Sequence, residues 1–362
     1  MLTRLLLPSL VCATLCAPSA ARAQRCLTWA QSSPAQVSAP ELTEVSGIAA
    51  SLKNEGVLWV HNDSGAQPVI YALDAQGALL GTWTIEDTAH IDWEDIARAR
   101  CPQGAGSCLY IADIGNNSKT RQDLRVIVVP EPDVDPQDAP ITASVAPVAT
   151  WALSYPQSVG DQDAEGLMVT PGGKLYVVTK DLRDAHLVEF VRSGDTLTGV
   201  DHGVERRPLV TAIDLADDGS RVVFRNYFKG EVFELERPEH PEDVWGAQAA
   251  PERFNIRSET QGEAIAFTPD GRMVSLSERL DQPLHYYDCV PAQDPAPDAS
   301  ADTPQDAPSD ALPEDEASDE GAPSLAPAQD SGCAHAPGSP TGLMALLWGA
   351  GLLAWRRARR SA

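Results

Sequence analysis

Basic residues are scarce in this chain of 362 residues: 27 Lys and Arg stand against 52 Asp and Glu, a formal charge of -25. Affinity for a nucleic-acid backbone draws mainly on Lys and Arg, so nucleic acid is not an expected partner, whereas cations and cationic ligands are easier to accommodate. Helical periodicity is almost missing, which argues against a helical or α/β fold. The chain has no phosphate-binding P-loop and no dinucleotide fingerprint. Ser64, in HNDSG, lacks a recognisable nucleophile elbow, and the histidines His61, His90, His186, His202 and His285 are scattered. The absence of a Cys-x-x-Cys or Cys/His cluster argues against thiolate metal binding.

What is present divides the chain into four expected regions. Residues 1–23 run from MLTR through an apolar stretch, Leu5 to Cys16, to ARA before Gln24, the order of a secretory signal. Residues 24–290 form the folded body. Residues 291–332 hold eleven acids and no Lys or Arg among many Ala and Pro, the composition of a disordered, self-repelling stalk. Without the stalk, the body keeps 41 acids against 21 bases, a charge near -20. In residues 333–362, Cys333 precedes the apolar stretch LMALLWGAGLLAW and the cluster RRARR. That stretch is short against the roughly 20 residues of a spanning helix. It is either a plain C-terminal membrane anchor or a sorting signal; in both cases the arginines stay cytoplasmic and the body is exported. The order of cysteine, short apolar helix and arginine cluster resembles the MYXO-CTERM type of sorting signal. That resemblance implies removal of the helix by a rhomboid-like protease and retention of Cys333 at the cell surface.

Export places the remaining cysteines in an oxidising compartment, where pairing is expected. Cys101 and Cys108 bracket a Gly-rich loop and should pair locally. Cys26 and Cys289 mark the two ends of the body and should bridge them.

Within the body, five units repeat. Each opens with a short strand introduced by a polar residue: SGIAAS from Ser46, EDIARA from Glu94, EGLMVT from Glu165, TAIDLA from Thr211 and EAIAFT from Glu263. A second strand with a polar end and a third strand follow. Starts 48, 71, 46 and 52 residues apart match the period of a propeller blade. The expected fold is therefore an all-β propeller of five blades, with a sixth possible inside the 71-residue interval, closed by the N-terminal strand Cys26–Ala30. It is expected to be a monomer. Outer fourth strands are expected near 79–85, 147–154, 196–202 and 252–256.

In a propeller the first strands line the channel and run the same way, so Ser46, Glu94, Glu165, Thr211 and Glu263 gather at one mouth. The antiparallel second strands return His61, Asn62, Asp63, Asp113, Asn116, Lys180, Arg225 and Glu278 to that mouth as candidate ligand-binding residues. Asp92, Glu94, Glu165 and Glu263 are the candidate metal ligands, and calcium, which takes six to eight oxygens, is the cation that suits them. Lys180, Arg225 and Arg279 could grip an anionic substrate beside it, for phosphoester hydrolysis by metal-activated water. The competing reading makes the acids structural: a carboxylate heading an inner strand can accept N–H groups from the next blade. Trp59, Trp83, Trp93 and Trp151 are expected to pack between blades. A third reading is a passive scaffold for envelope proteins.

The order SGIAAS, WVHNDSG, IYALD, DWEDIA, YIADIGNN, VPEP, DAEGL, VVTK and GEAIAF resembles exported bacterial β-propellers of the esterase-like phytase and TolB-like group. The resemblance spans most of residues 44–288 and implies the fold. The group has no agreed activity. Phytase propellers bind several calcium ions and hold phosphate with Lys and Arg, but their ligands cannot be matched here residue by residue.

Overall fold

Apolar alternation over five to eight residues buries one face of a strand only if neighbouring strands pair with it. The computed structural model shows this pairing throughout, and it describes residues 26–246, 250–256, 259 and 261–291. One turn of 3-10 helix, Pro241–Val244, is the helical element among them. The chain opens with β1 (Cys26–Gln36) and then repeats a four-strand pattern. The first unit is β2 (Val45–Ala50), β3 (Leu58–Asn62), β4 (Val69–Leu73) and β5 (Leu79–Ile85). The second is β6 (Trp93–Arg100), β7 (Ser107–Asp113) and β8 (Arg125–Pro130), then β9 (Ile141–Val145) and β10 (Ala149–Ser154). The third is β11 (Asp163–Val169), β12 (Leu175–Lys180), β13 (Ala185–Ser193) and β14 (Thr196–Glu205). The fourth is β15 (Val210–Leu215), β16 (Arg221–Asn226), β17 (Lys229–Glu234) and β18 (Glu252–Asn255). The fifth has three strands, β19 (Gly262–Phe267), β20 (Met273–Ser277) and β21 (Pro283–Pro291).

The four outer strands expected from the sequence are present as β5, β10, β14 and β18. In the fifth unit β1 takes that place, pairing antiparallel with β21 in the order β1-β21-β20-β19. The long interval after the second unit's start holds β9, which adds to the first unit's sheet by pairing parallel with β5. A parallel pairing of β10 with β14, residues 152–154 against 196–198, joins the second and third units into one eight-stranded sheet. That sheet's two edge strands, β6 and β11, lie side by side.

First strands contact each other in sequence: β2 with β6, β6 with β11, β11 with β15, β15 with β19, and β19 with β2. The core follows the same cycle. It falls into five apolar clusters, each lying between two consecutive units, with one between the fifth and the first. Trp59 and Trp83 meet edge to face at 5.2 Å within the cluster between units one and two, a geometry worth about 1 kcal/mol beyond the area it buries. Trp93 is wholly buried there, and Trp151 packs between units two and three. All four tryptophans are thus packing residues.

Away from the polar ends of the first strands, Arg98 of β6 reaches two units ahead. Its guanidinium donates to both oxygens of Asp214 at 3.0 and 3.1 Å, to Asp217, and to the Phe267 carbonyl at 2.8 Å. Arg98 thereby ties the second, fourth and fifth units together.

Cys26 pairs with Cys289 and Cys101 with Cys108, at Cα separations of 5.4 and 4.9 Å. The signal at 1–23, the stalk after Pro291 and Cys333 with the sorting signal lie outside the described residues. Among those that are described, no helix is long and apolar enough to cross a membrane.

Loop-closure entropy makes the long bridge the more valuable one. Replacing Cys26 and Cys289 by Ser should cost about 5 kcal/mol of unfolding free energy, and replacing Cys101 and Cys108 about 2 kcal/mol, both read from urea unfolding. Arg98→Met strands the buried Asp214 carboxylate and should cost about 3–5 kcal/mol. Adding Asp214→Leu to that variant should restore much of the loss, measured by the same unfolding curves.

Candidate functional site

One extra residue interrupts the start of every first strand. Val45 pairs with Asn62 and Gly47 with His61, so Ser46 has no partner across the ladder. The same skip occurs at Glu94, between Trp93 and Asp95. It recurs at Glu165, Thr211 and Glu263. A β-bulge bends its strand and re-aims the side chain of the extra residue. The five polar residues picked out by the sequence repeat are therefore the five bulge residues, and all are 0 % exposed.

Their partners divide them into two kinds. The Ser46 hydroxyl donates to the Glu94 carbonyl at 2.7 Å, and the Thr211 hydroxyl to the Gly262 carbonyl at 3.3 Å. These two fasten one unit to the next. Glu165 takes the Lys180 ammonium, and Glu263 accepts the Tyr227 hydroxyl at 3.0 Å. Neither oxygen of Glu94 has a hydrogen-bond partner. Nearby aspartates accept N–H groups across unit boundaries, while Glu263 takes the Tyr227 hydroxyl of the preceding unit. Asp95 accepts the Leu167 N–H of the next unit at 2.8 Å, and Asp163 the Asn116 N–H at 2.7 Å.

Several residues expected to contact a ligand are engaged within the fold. Asp113 is held by Arg121 at 3.0 Å and Arg125 at 2.8 Å. Asn62 receives the Glu44 N–H and donates to the Glu41 carbonyl. Asn116 closes its own loop, accepting from the N–H groups of residues 120 and 121. Arg225 is buried against Glu259 at 2.9 Å and the Ala264 carbonyl at 3.0 Å. His61 donates its Nδ1–H to the Asn62 carbonyl and lies edge-on to Trp93; its burial pulls its pKa down to about 4, so the ring is neutral near pH 7. Arg279 is exposed.

The carboxylates do assemble. Asp63, Asp92 and Glu94 bring one oxygen each within 4.8 Å of one another, as do Asp63, Glu263 and Glu278, and again Glu94, Asp163 and Glu165. All seven residues are buried, and Asp63 and Glu94 each belong to two triads. Six were named from sequence, and Asp163 was missed. The signal for it was present: Asp92-Trp93-Glu94 and Asp163-Ala164-Glu165 share an Asp-x-Glu spacing that puts an aspartate two residues before the bulge glutamate.

The floor beneath Glu94 is backbone. A Cβ at Gly115 would overlap the Glu94 carboxylate and that of Asp92, so glycine in DIGNN lets the chain pass here without displacing either side chain. Burial, followed by the neighbouring charges of Glu165, Asp63, Asp92 and Asp163, pushes the Glu94 pKa well above the ordinary carboxylate range. An all-oxygen, carboxylate-rich donor set suits hard cations, calcium above all. A buried carboxylate with no donor of its own is what such an ion would complete.

No protein-family model and no curated protein matches the chain.

Because the folded pKa of Glu94 lies above its unfolded value, its contribution to stability is greatest at low pH. That contribution declines as pH rises through the usual carboxylate range toward the folded value. In chelator, Glu94→Gln should therefore raise the urea midpoint at neutral pH and flatten part of this decline. Ser46→Ala, which removes a fastening hydrogen bond, should lower stability by about 1 kcal/mol at every pH tested.

Proposed function

We propose that this protein is a five-bladed β-propeller that binds a divalent cation, calcium, at one mouth of its central channel through Asp63, Asp92 and Glu94. The observation that carries the cation reading is Glu94: wholly buried, partnerless at both oxygens, and surrounded by four other carboxylates. In the ionised state that grouping is self-repelling, and a divalent ion is the most economical way to offset it. The five-bladed form is supported by the cyclic contacts of the first strands, by the five inter-unit clusters, and by β1 completing the last unit. We read the body as exported and held at the cell surface through its acidic stalk and C-terminal segment. The MYXO-CTERM resemblance and the two disulfides favour that placement.

Phosphoester hydrolysis has less support. It called on Lys180, Arg225 and Arg279 to hold an anionic substrate; Lys180 is committed to Glu165 and Arg225 to Glu259, which leaves only the exposed Arg279. A cation that completes the mouth of the propeller, and through it a surface for an envelope partner, requires neither.

Purified protein stripped with chelator should bind calcium on calorimetric titration. At a hundredfold excess over Kd it should gain about 2.7 kcal/mol of stability. Glu94→Gln should weaken binding at least tenfold while leaving the chelated protein folded. No heat and no thermal shift at millimolar calcium would remove the cation function.

A further inference from the structure

The three triads are not equivalent. In each unit the residue that ends the second strand pairs with the one that opens the first strand, one position before the bulge residue in four units and two positions before it in the third. These pairings are Asn62 with Val45, Asp113 with Trp93, Lys180 with Asp163, Asn226 with Val210, and Ser277 with Gly262. Four of these strand-end residues are neutral or acidic, and the third unit alone has a lysine there. The Lys180 side chain is 11 % exposed, and its ammonium meets the Glu165 carboxylate and lies 5.4 Å from the Tyr227 ring. Tyr227 in turn donates to Glu263. The base is thus built into the acid group by packing on one side and charge on the other.

We propose that Lys180 is a tethered cation occupying the place of a metal ion in the Glu94, Asp163 and Glu165 triad, and that removing its charge opens a second calcium site there. The inference rests on the cation reading of the Asp63, Asp92 and Glu94 triad. Glu94 serves both triads. A divalent ion in each would have to share it, whereas a single positive charge aimed at Glu165 offsets the far side of the group and leaves Glu94 to the metal. An ammonium supplies that charge through three N–H donors and needs no shell of six to eight oxygens. Lys180 in this way fixes how many ions the mouth can take.

Calcium content after dialysis and calorimetric stoichiometry are to be measured for the wild-type chain, for Lys180→Met, and for Lys180→Met combined with Glu165→Gln. Lys180→Met should hold one more calcium per chain than wild type, and the double variant should lose that extra ion. In a parallel measurement on wild type, acylation of Lys180 by an amine-reactive reagent, read by mass spectrometry, should be equally low with and without calcium. A folded Lys180→Met with no added ion overturns the proposal. So does a rise in Lys180 acylation on adding calcium, which would mean that the metal displaces the lysine; this readout decides the matter even if the variant does not fold. If wild type binds no calcium but Lys180→Met binds one, the tethered-cation role stands and the wild-type cation function falls. If neither binds, both fall.

Discussion

One extra residue per first strand governs the chemistry of this molecule. In a regular strand, side chains alternate between the two faces of the sheet, and both faces here pack against apolar neighbours. Inserting a bulge frees one side chain from that alternation without breaking the ladder on either side. Repeated in five units, it delivers Ser46, Glu94, Glu165, Thr211 and Glu263 to a common region while the residues after each bulge resume core packing. Gly47 and Gly166 stand directly after two of the bulges. A Cβ there would press on Ile96 and Ile213 of the following unit, so small residues let adjacent first strands approach closely enough for their bulge residues to meet.

Four of the five side chains are satisfied within the fold and one, Glu94, is not. A hydroxyl carries its own donor and can be satisfied by a neighbouring carbonyl, as Ser46 and Thr211 are. An ionised carboxylate only accepts, and it carries a charge that burial makes costly unless something positive stands near. Lys180 meets that need for Glu165. Glu94 has no hydrogen-bond partner: it faces the backbone at Gly115 and more acids, and Lys180 reaches it through charge alone. The contrast within a single repeated position is between side chains that fasten units and a carboxylate that does not.

Much of the architecture was legible because the repeat is written in both strand pattern and punctuation. The first, second and third strands of each unit carry near-continuous apolar runs, and even the weak outer strands at 79–85 and 252–256 lie where spacing put them. The pairings of β9 with β5 and of β10 with β14 were not legible, since they join strands from different units whose sequences contain no sign of each other. Residue type and position identified six of the seven acids in the three carboxylate triads. The second-strand ends were harder to judge. Whether Asp113 faces a ligand or Arg121 and Arg125 depends on a loop residue eight positions later and the first residue of β8, twelve positions later, whose side-chain directions no periodicity encodes.

The bridge from Cys26 to Cys289 has a mechanical meaning. Register places Cys26 opposite Pro291, so the chain enters and leaves the body at the same end of one antiparallel strand pair. A pull on the chain beyond Pro291 would otherwise peel β21 from its neighbours one hydrogen bond at a time, the weakest way to load a sheet. With the sulfurs joined two residues inside that point, β21 cannot be stripped from β1 from this end, and a load applied there is shared between the two strands.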